Sequence, residues 1–575
     1  MRITRISLTN FRSFREAQTI ELAPVTLLFG PNSVGKSSVL MSLFYLQQIL
    51  EKGHCDPSYI AALGEKHVGG FERLVNGYDI NKDIVIKLSC DKRGSIGSTY
   101  SNIVDSLGED QTLGLTVDSP TADADTFDVE FHISWSKPNN TAYVSTVKYW
   151  LDGEFIAELH ADEGLKQRNV SSLSYDNPAL LCSEDDDYES ESYEDGIVSR
   201  LQDLIVNSVG SAKPFNDVYM WHAWFGYEGF SGALPRLGQQ IKTTLQIEDW
   251  TLNARVHEVF SDIVVAPLDN ILMILKESLS IGPLRVIPDA LRQINPYPEQ
   301  SDWYSGEAAW DSVGRSSSQL LAINHWLNGE GGLGLGYTLR RKIIKTETSY
   351  LASENALDQL RIIHAQFGDS AKVKLATGDL EEDPDAEITM ESPVGDLLKM
   401  LESDPRLQKG ELNSLNLGEL KADIERKVVL WDEQNQIEVT SSDIGVGVSQ
   451  VIPLVVALTE KSQGVICCEQ PELHVHPRIQ VALGDLVTQQ RTGHTLILET
   501  HSEHLILRIL RRIRETAEDE LPDGIKPVIP NDVSIVYLSA DEDGVVAKRI
   551  GIDKEGEFTE RWPSGFFAER GEELF

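Results

Sequence analysis

Residues 25–50 place three signals in immediate succession. An apolar, partly β-branched run, Val25-Thr26-Leu27-Leu28-Phe29, leads into a glycine-bounded turn, Gly30-Pro31-Asn32-Ser33-Val34-Gly35-Lys36-Ser37-Ser38, and a helical run follows from Val39 to Leu50. The turn has the spacing GxxxxGK[ST] in the strand-loop-helix setting that gives this spacing meaning. Gly30 and Gly35 allow backbone N–H groups to turn inward on phosphates at a helix N-terminus, with Asn32, Ser33 and Ser38 completing the cradle. Lys36 reaches the β- and γ-oxygens, and the Ser37 hydroxyl is placed to ligate Mg2+. The chain is therefore expected to be α/β and to bind a nucleoside triphosphate.

At 575 residues the chain exceeds one ordinary core, and length alone predicts about three or four domains or one enzyme-sized fold with large insertions. It contains no uninterrupted apolar stretch of membrane-spanning length, and Met1-Arg2-Ile3-Thr4-Arg5 is not followed by an apolar run with a cleavage site. A soluble, cytoplasmic protein with no membrane partner is expected. Cys55, Cys90, Cys182, Cys467 and Cys468 form no CxxC pair, which argues against a disulfide framework or a zinc site. The formal net charge is −39, from 51 Lys+Arg against 90 Asp+Glu. Such a surface repels phosphate backbones on average, so protein partners fit it better than unaided duplex binding. Much of the excess lies in Ser183-Glu184-Asp185-Asp186-Asp187-Tyr188-Glu189 and onward to Asp195, and in residues 379–387. These read as solvated or disordered loops, the first with a DNA-mimicking arm as its sharper alternative.

The opening alternates and then turns at Asn10-Phe11-Arg12-Ser13-Phe14, and with Thr19-Ile20-Glu21-Leu22 it reads as a hairpin feeding the phosphate-loop strand. That segment, just before such a loop, resembles the N-terminal lobe of the ABC-type ATPases of the SMC, RecF and OLD (overcoming lysogenisation defect) group. Period-two runs such as Phe127, Val129, Phe131, Ile133 and Trp135 predict an antiparallel meander over about residues 85–160, and a β-subdomain of this kind flanks the nucleotide site in that group. Residues 197–280 read mostly helical, including Val256 to Leu279, and Gly282-Pro283-Leu284-Arg285 breaks that helix. A helix is expected to end at Gly329, Leu339 to Lys345 reads as a short basic strand or helix, residues 395–426 read helical, and Val428 to Trp431 with Gln436 to Val439 reads as a hairpin. No heptad run long enough for a coiled-coil arm occurs, which separates the chain from SMC proteins and points to the RecF and OLD side. The expected divisions are an N-terminal ATPase lobe over 1–90, the meander subdomain over 91–175, an acidic loop over 176–196, a mixed, mainly helical insertion over 197–426 and a C-terminal ATPase lobe over 427–575.

The second half of the nucleotide site lies near the opposite end. Gly464-Val465-Ile466-Cys467-Cys468-Glu469-Gln470-Pro471-Glu472 is an apolar strand ending in acidic residues, as a P-loop ATPase needs for holding Mg2+ and aligning water. The separation suits a head closed by its two chain ends around an insertion. A second strand, Thr495-Leu496-Ile497-Leu498, runs into Glu499-Thr500-His501-Ser502. In the resembled group a Thr-His-Ser here supplies a switch histidine that senses the γ-phosphate, a role the resemblance gives to His501. Between the halves, Ser441-Ser442-Asp443-Ile444-Gly445-Val446-Gly447-Val448-Ser449-Gln450 opens an apolar helix, a natural anion site. It resembles a degenerate ABC signature, which in that family binds the γ-phosphate of the opposite subunit. Gly445, Gly447 and Ser449 are its candidate contacts, with Ser442 the alternative phosphate-facing serine; a glycine loop capping a buried helix is the plainer reading.

Where the group has Asp-Glu-Pro-Glu, this chain has Glu469-Gln470-Pro471-Glu472, so an amide that cannot accept a proton stands at the expected base position. The expectation is that Glu469 serves Mg2+, that Glu499 activates or orients water, and that Gln470, Glu472 and His501 complete the catalytic set around ATP. Slow turnover follows. Asp541-Glu542-Asp543-Gly544 is the one match to a fused nuclease's acidic pair, and a hairpin turn is the preferred reading. Arg508, Arg511, Arg512 and Arg514 line one helix whose partners are nucleic acid or carboxylates. The aromatic tail Trp562-Pro563-Ser564-Gly565-Phe566-Phe567 locks the C-terminus onto the head or docks a partner. Together these features resemble a branch of stand-alone RecF/OLD-like ATPases that resemble anti-phage defence components. The resemblance implies a homodimer or higher even-numbered homo-oligomer and a separate effector, a nuclease or toxin encoded nearby. The alternatives are a RecF-like repair ATPase that binds DNA and a scaffold that holds ATP without turnover.

Overall fold

The architecture comes from a computed structural model, which describes residues 1–64, 66–100, 120–174, 177, 220–221, 225–248, 250–286, 295–313, 316–345, 348–351, 360–361, 364–365, 368, 372–376, 389–403, 424–439, 445–461, 463–490, 493–542 and 544–562. They fall into two compact units, one of residues 1–286, 297–308 and 460–575, the other of residues 287–296 and 309–459.

In the first unit β1 (Arg2–Thr9) pairs antiparallel with β2 (Gln18–Glu21), and β3 (Val25–Phe29) passes through the phosphate loop into α1 (Lys36–Lys52). The expected meander follows as β4 (Ile84–Asp91), β5 (Thr126–Ser136), β6 (Thr141–Leu151), β7 (Glu154–Ala161) and β8 (Arg168–Ser174). Together with β1 and β2 they run in the order β2-β1-β4-β5-β6-β7-β8, and the two-residue strands Met220–Trp221 and Phe225–Gly226 both pair with β8. Period-two patterning built this sheet: Phe127, Val129, Phe131 and Ile133 of β5 are all buried on one face.

Beyond it, the long helical reading breaks into parts. α2 (Trp250–Val264) and α3 (Ala266–Lys276) replace one helix, because Pro267 lacks an N–H and is tolerated only in a first turn. The second helix ends at Lys276, and the chain becomes the short strand β9 (Leu279–Ile281) immediately before Gly282. Short strands at Gly229–Ser231 and Leu234–Pro235 also interrupt the span read as mostly helical.

The second unit contains α4 (Ser317–Asn328), followed by Gly329 as expected, and β10 (Tyr337–Lys345), so the short basic segment is a strand. β11 (Ile424–Asp432) pairs with β10 and with Ile437–Val439, which realises the expected hairpin with Leu430 opposite Val439. Of the span read as helical from 395, Val394–Ser403 is a helix, Ile424 onward is strand, and 404–423 lie outside the described residues. α5 (Val446–Glu460) closes this part of the chain.

The C-terminal region returns to the first unit as β12 (Val465–Glu469), α6 (Pro477–Gln489), β13 (Thr495–Glu499), α7 (Glu503–Ala517), β14 (Val533–Asp541) and β15 (Gly544–Ile550). The central sheet has the order β9-β12-β13-β3-β14-β15, parallel up to the antiparallel β14/β15 hairpin. All residues of β3, β12 and β13 are buried, as expected for parallel strands covered on both faces. Val465, Cys467, Ile497, Val536 and Leu538 share one core with the apolar face of α1 and the meander. Among the described residues no helix is long and apolar enough to cross a membrane. The acidic run 183–195, residues 379–387 and the tail from Pro563 lie outside the described residues.

Candidate functional site

The phosphate loop is held open by conformations that few side chains allow. Gly30 has φ +139° and Gly35 φ +113°, and a Cβ at Gly30 would lie 2.1 Å from the Leu538 carbonyl oxygen. At Gly35 it would lie 2.2 Å from Ser13 Oγ, so the Asn10-Phe11-Arg12-Ser13-Phe14 turn presses directly on the loop. Ser33 also takes a left-handed conformation, φ 63°, and with Asn32 it is exposed at the loop tip. No side chain caps α1 at Gly35 and no acidic residue stands in its first turn, which leaves its first N–H groups for a ligand. Ser38 is buried, its own N–H bonded to the Gly35 carbonyl at 2.9 Å.

Lys36 lies under this loop, 3% exposed. Its Nζ donates to the Gly30 and Pro31 carbonyls at 3.0 and 2.9 Å and is 3.7 Å from Glu499 Oε1. Burial lowers its pKa, and the neighbouring Glu499 carboxylate opposes that.

The C-terminal half meets the loop at Ser37. β12 and β13 are parallel and in register, with Glu469 opposite Glu499, so two strand ends present two carboxylates to one place. Ser37 Oγ is 2.8 Å from Glu499 Oε2 and 3.2 Å from Glu469 Oε2, although the residues are 462 and 432 positions apart in the chain. The hydroxyl has one proton and can satisfy only one carboxylate at a time. Glu469 and Glu499 are 7% and 8% exposed. Burial pushes the Glu469 carboxyl up, Lys66 opposes the rise, and the Glu499 charge adds to it. Two buried carboxylates converging on one hydroxyl form an oxygen-rich, anionic set that a small divalent cation suits.

Around this centre the two strand-end loops are tied together. Gln470, with φ 47°, donates its N–H to the Glu499 carbonyl at 2.7 Å. Glu472 accepts from Thr500 Oγ1 at 2.8 Å and from the His501 N–H at 2.6 Å, so it orders the loop that carries the histidine. Burial raises the Glu472 pKa and lowers that of His501, with the Lys36 charge adding to the histidine's shift. The Nε2 of the His501 ring is buried without a hydrogen-bond partner among the described residues. A buried, unpaired ring nitrogen beside a phosphate loop is suited to an incoming oxygen.

Two contributors escape sequence reasoning. Arg285 donates from Nη2 to the Glu469 carbonyl at 2.7 Å and contacts Cys468 Sγ at 3.1 Å, and the Tyr304 hydroxyl donates to Glu469 Oε1 at 3.2 Å. The arrival of Gly282-Pro283-Leu284-Arg285 at the end of a buried strand was the available signal for the first.

The signature-like segment is only partly described. Gly445 and Gly447 flank the start of α5, while Ser449 is buried with Oγ bonded to the Val446 carbonyl at 2.8 Å. Residues 441–444, including Ser442, lie outside the described residues. The acidic turn read as a hairpin joins β14 and β15, with Asp541 opposite Gly544. The arginines of α7 meet internal carboxylates: Arg508 and Arg512 bond Asp485 at 3.0 and 2.6 Å, Arg511 bonds Glu515, and Arg514 bonds Glu557, the last two at 2.6 Å. Trp562 packs edge-on against Phe29, with ring centres 5.7 Å apart, which fastens the described start of the tail to the strand leading into the phosphate loop.

Residues 1–113 match the family model for an AAA ATPase domain, residues 282–508 match "AAA domain, putative AbiEii toxin, Type IV TA system", and residues 528–575 match a domain described as protein of unknown function (DUF3696). The two AAA matches together take in both halves of the split site, with Lys36 and Ser37 in the first and Glu469, Glu499 and His501 in the second. Among individual proteins, the DNA replication and repair protein RecF of Roseiflexus castenholzii is 32% identical over 109 residues, and that of Desulforamulus reducens 40% over 45 residues. The chain spans only 27% and 12% of these relatives, and the matches cover 17% and 8% of the chain itself. An SMC head bound to the C-terminal winged-helix domain of ScpA and the SMC head domain from Thermotoga maritima each align over 96% of the chain and 99% and 100% of their own. Their identities are 10% and 8%, and their TM-scores 0.35 and 0.33.

Proposed function

We propose that the protein binds MgATP and hydrolyses it slowly, using the state of its nucleotide site to control a separate effector. The observation that carries this reading is the meeting of Ser37 with both Glu469 and Glu499. Ser37 and Glu469 hold Mg2+, which when bound screens the phosphate charge and orients the phosphates. Lys36 leaves its loop carbonyls to reach the phosphate oxygens. Glu499 accepts or orients the proton of the attacking water, the task that Gln470 cannot perform. Glu472 holds the His501 loop, and the His501 ring hydrogen-bonds the γ-phosphate. Gly445, Gly447 and Ser449, or Ser442 in place of Ser449, face the phosphate of a second copy, so the active form is a homodimer or a larger even-numbered assembly. The AbiEii-type toxin match over residues 282–508 supports a place in prokaryotic defence with a nuclease or toxin effector encoded nearby.

Phosphate release tests the chemistry. Glu499→Gln is expected to lower it by about 100-fold or more, the usual contribution of a general base, with nucleotide binding retained. An unchanged rate would remove Glu499 from the mechanism. Lys36→Ala separates a hydrolysing protein from one that merely holds ATP, since only the former has a rate to lose. The RecF matches support a second reading, direct DNA binding. ATP-stimulated DNA binding that survives moderate salt would favour it over effector control. Capture of a neighbouring gene's product in the ATP-bound state would favour the latter.

A further inference from the structure

The short helix Gln300–Tyr304 braces the site from an unexpected direction. Tyr304 spends its hydroxyl on Glu469 Oε1 at 3.2 Å, while Oε2 of the same carboxylate faces the Ser37 hydroxyl at 3.2 Å. The two ends of the carboxylate are thus assigned to different partners, and its rotation about the Cγ–Cδ bond is restricted. The backbone beneath is fixed as well, because the Glu469 carbonyl accepts from Arg285.

The tyrosine ring occupies a slot built to its shape. A Cβ at Gly64 would lie 2.8 Å from Tyr304 Cδ1, and a Cβ at Gly282 would lie 2.8 Å from Cε1 and 2.9 Å from Cζ, so any larger residue on either wall would displace the ring. The Gly282 N–H donates to the Tyr304 carbonyl at 2.9 Å, and Lys66 Nζ stands 6.0 Å from the ring centre. The same short helix reaches α1 as well: Gln47 Nε2 donates to Gln300 Oε1 at 2.8 Å, and Gln300 Nε2 donates in turn to the Leu275 carbonyl at 3.1 Å. One five-residue element therefore touches both the phosphate-loop helix and the carboxylate at the end of β12. Hydrogen bonds of this kind to a ligating carboxylate govern how well it is aimed at its metal.

We propose that Tyr304 is a positioning residue for Mg2+: its phenol, held between Gly64 and Gly282, turns Glu469 so that one carboxylate oxygen stays directed at the cation site beside Ser37. This rests on the reading of Ser37 and Glu469 as the Mg2+ ligands. Tyr304→Phe keeps the ring in its slot and removes only the hydroxyl. Loss of such a partner is expected to raise the Mg2+ concentration for half-maximal response by about 10-fold, with binding of a fluorescent ATP analogue in EDTA and the thermal midpoint both unchanged.

Two readouts are compared, Mg2+-dependent phosphate release and Mn2+ binding followed by electron paramagnetic resonance in the presence of a non-hydrolysable ATP analogue. Gly282→Ala, which pushes on the ring from the backbone side, is expected to shift the metal dependence in the same direction. Glu469→Gln and Lys36→Ala test the underlying reading. If Glu469→Gln leaves metal binding unchanged, or Lys36→Ala leaves nucleotide binding unchanged, the site assignment falls and the Tyr304 proposal with it. If both variants lose their function while the Tyr304→Phe metal titration superimposes on the wild type, the assignment stands and the positioning role is overturned.

Discussion

Neighbouring strands of the central sheet, β3 and β13, each end in a helix start, and the two starts are built oppositely. α1 begins after Gly35, which has φ +113° and no side chain to offer, so its leading N–H groups are unclaimed by any cap. α7 begins after Ser502, which has φ −84° and whose Oγ accepts from the Leu505 N–H at 3.1 Å and donates to Gln480 Oε1 at 2.8 Å. One start is left open and the other is completed by the chain itself. The difference shows how little sequence separates an open helix start from a sealed one, since both follow fully buried parallel strands.

The comparison can be broken most severely at Gly35. Gly35→Ser imposes on α1 the kind of cap that α7 has, in a conformation and a space that reject it. Losing two charge-assisted hydrogen bonds to phosphate is expected to weaken ATP binding by about 100-fold, read by calorimetry. Strain of about 1–3 kcal/mol should appear in urea unfolding as well.

A control lies away from both helix starts, on α2. Asp262 is fully buried, accepts from the Thr121 N–H at 2.7 Å, and is pushed by burial up to about 6 from 3.8. Because the folded state holds this proton more tightly than the unfolded chain, the stabilising contribution is complete below the unfolded value and is lost as pH rises through about 6. The loss is on the order of 3 kcal/mol, and Asp262→Asn should flatten that part of the profile of unfolding free energy against pH. A helix-start variant should leave it intact.

The smallest effect is expected at the sealed start. Ser502→Ala should cost about 1 kcal/mol of stability, with ATP affinity within twofold of wild type. A much larger fall in ATP affinity would show that the cap also serves the adjacent His501 loop.

The phosphate loop, the meander and the strand ending at Glu469 were legible because each is a local pattern: glycine spacing, period-two alternation, and an apolar run closed by carboxylates. Two apolar runs that each end in a glutamate were also open to reading, and the register sets Glu499 directly opposite Glu469. The contacts of Arg285 and Tyr304 with Glu469 were not legible, beyond the chain break that brings Arg285 to the end of a buried strand. They depend on pairings such as Ser280 with Cys467, which bring together segments far apart in the chain. The single long helix expected across residues 256–279 failed for a local reason, Pro267, and for a distant one, the edge of β12 that recruits Leu279–Ile281 as a strand.

The placement of β3 between β13 and β14 has a consequence during synthesis. Leu27 is flanked by Leu498 on one side and Ile535 on the other, so neither neighbour of the phosphate-loop strand exists until most of the chain has been made. At about 5–20 residues per second, that strand waits roughly half a minute to a minute and a half for its first sheet partner. A nascent chain or a fragment ending before β13 therefore cannot assemble the pocket. The loop and the carboxylates at the ends of β12 and β13 thus come together only once the C-terminal strands have joined β3.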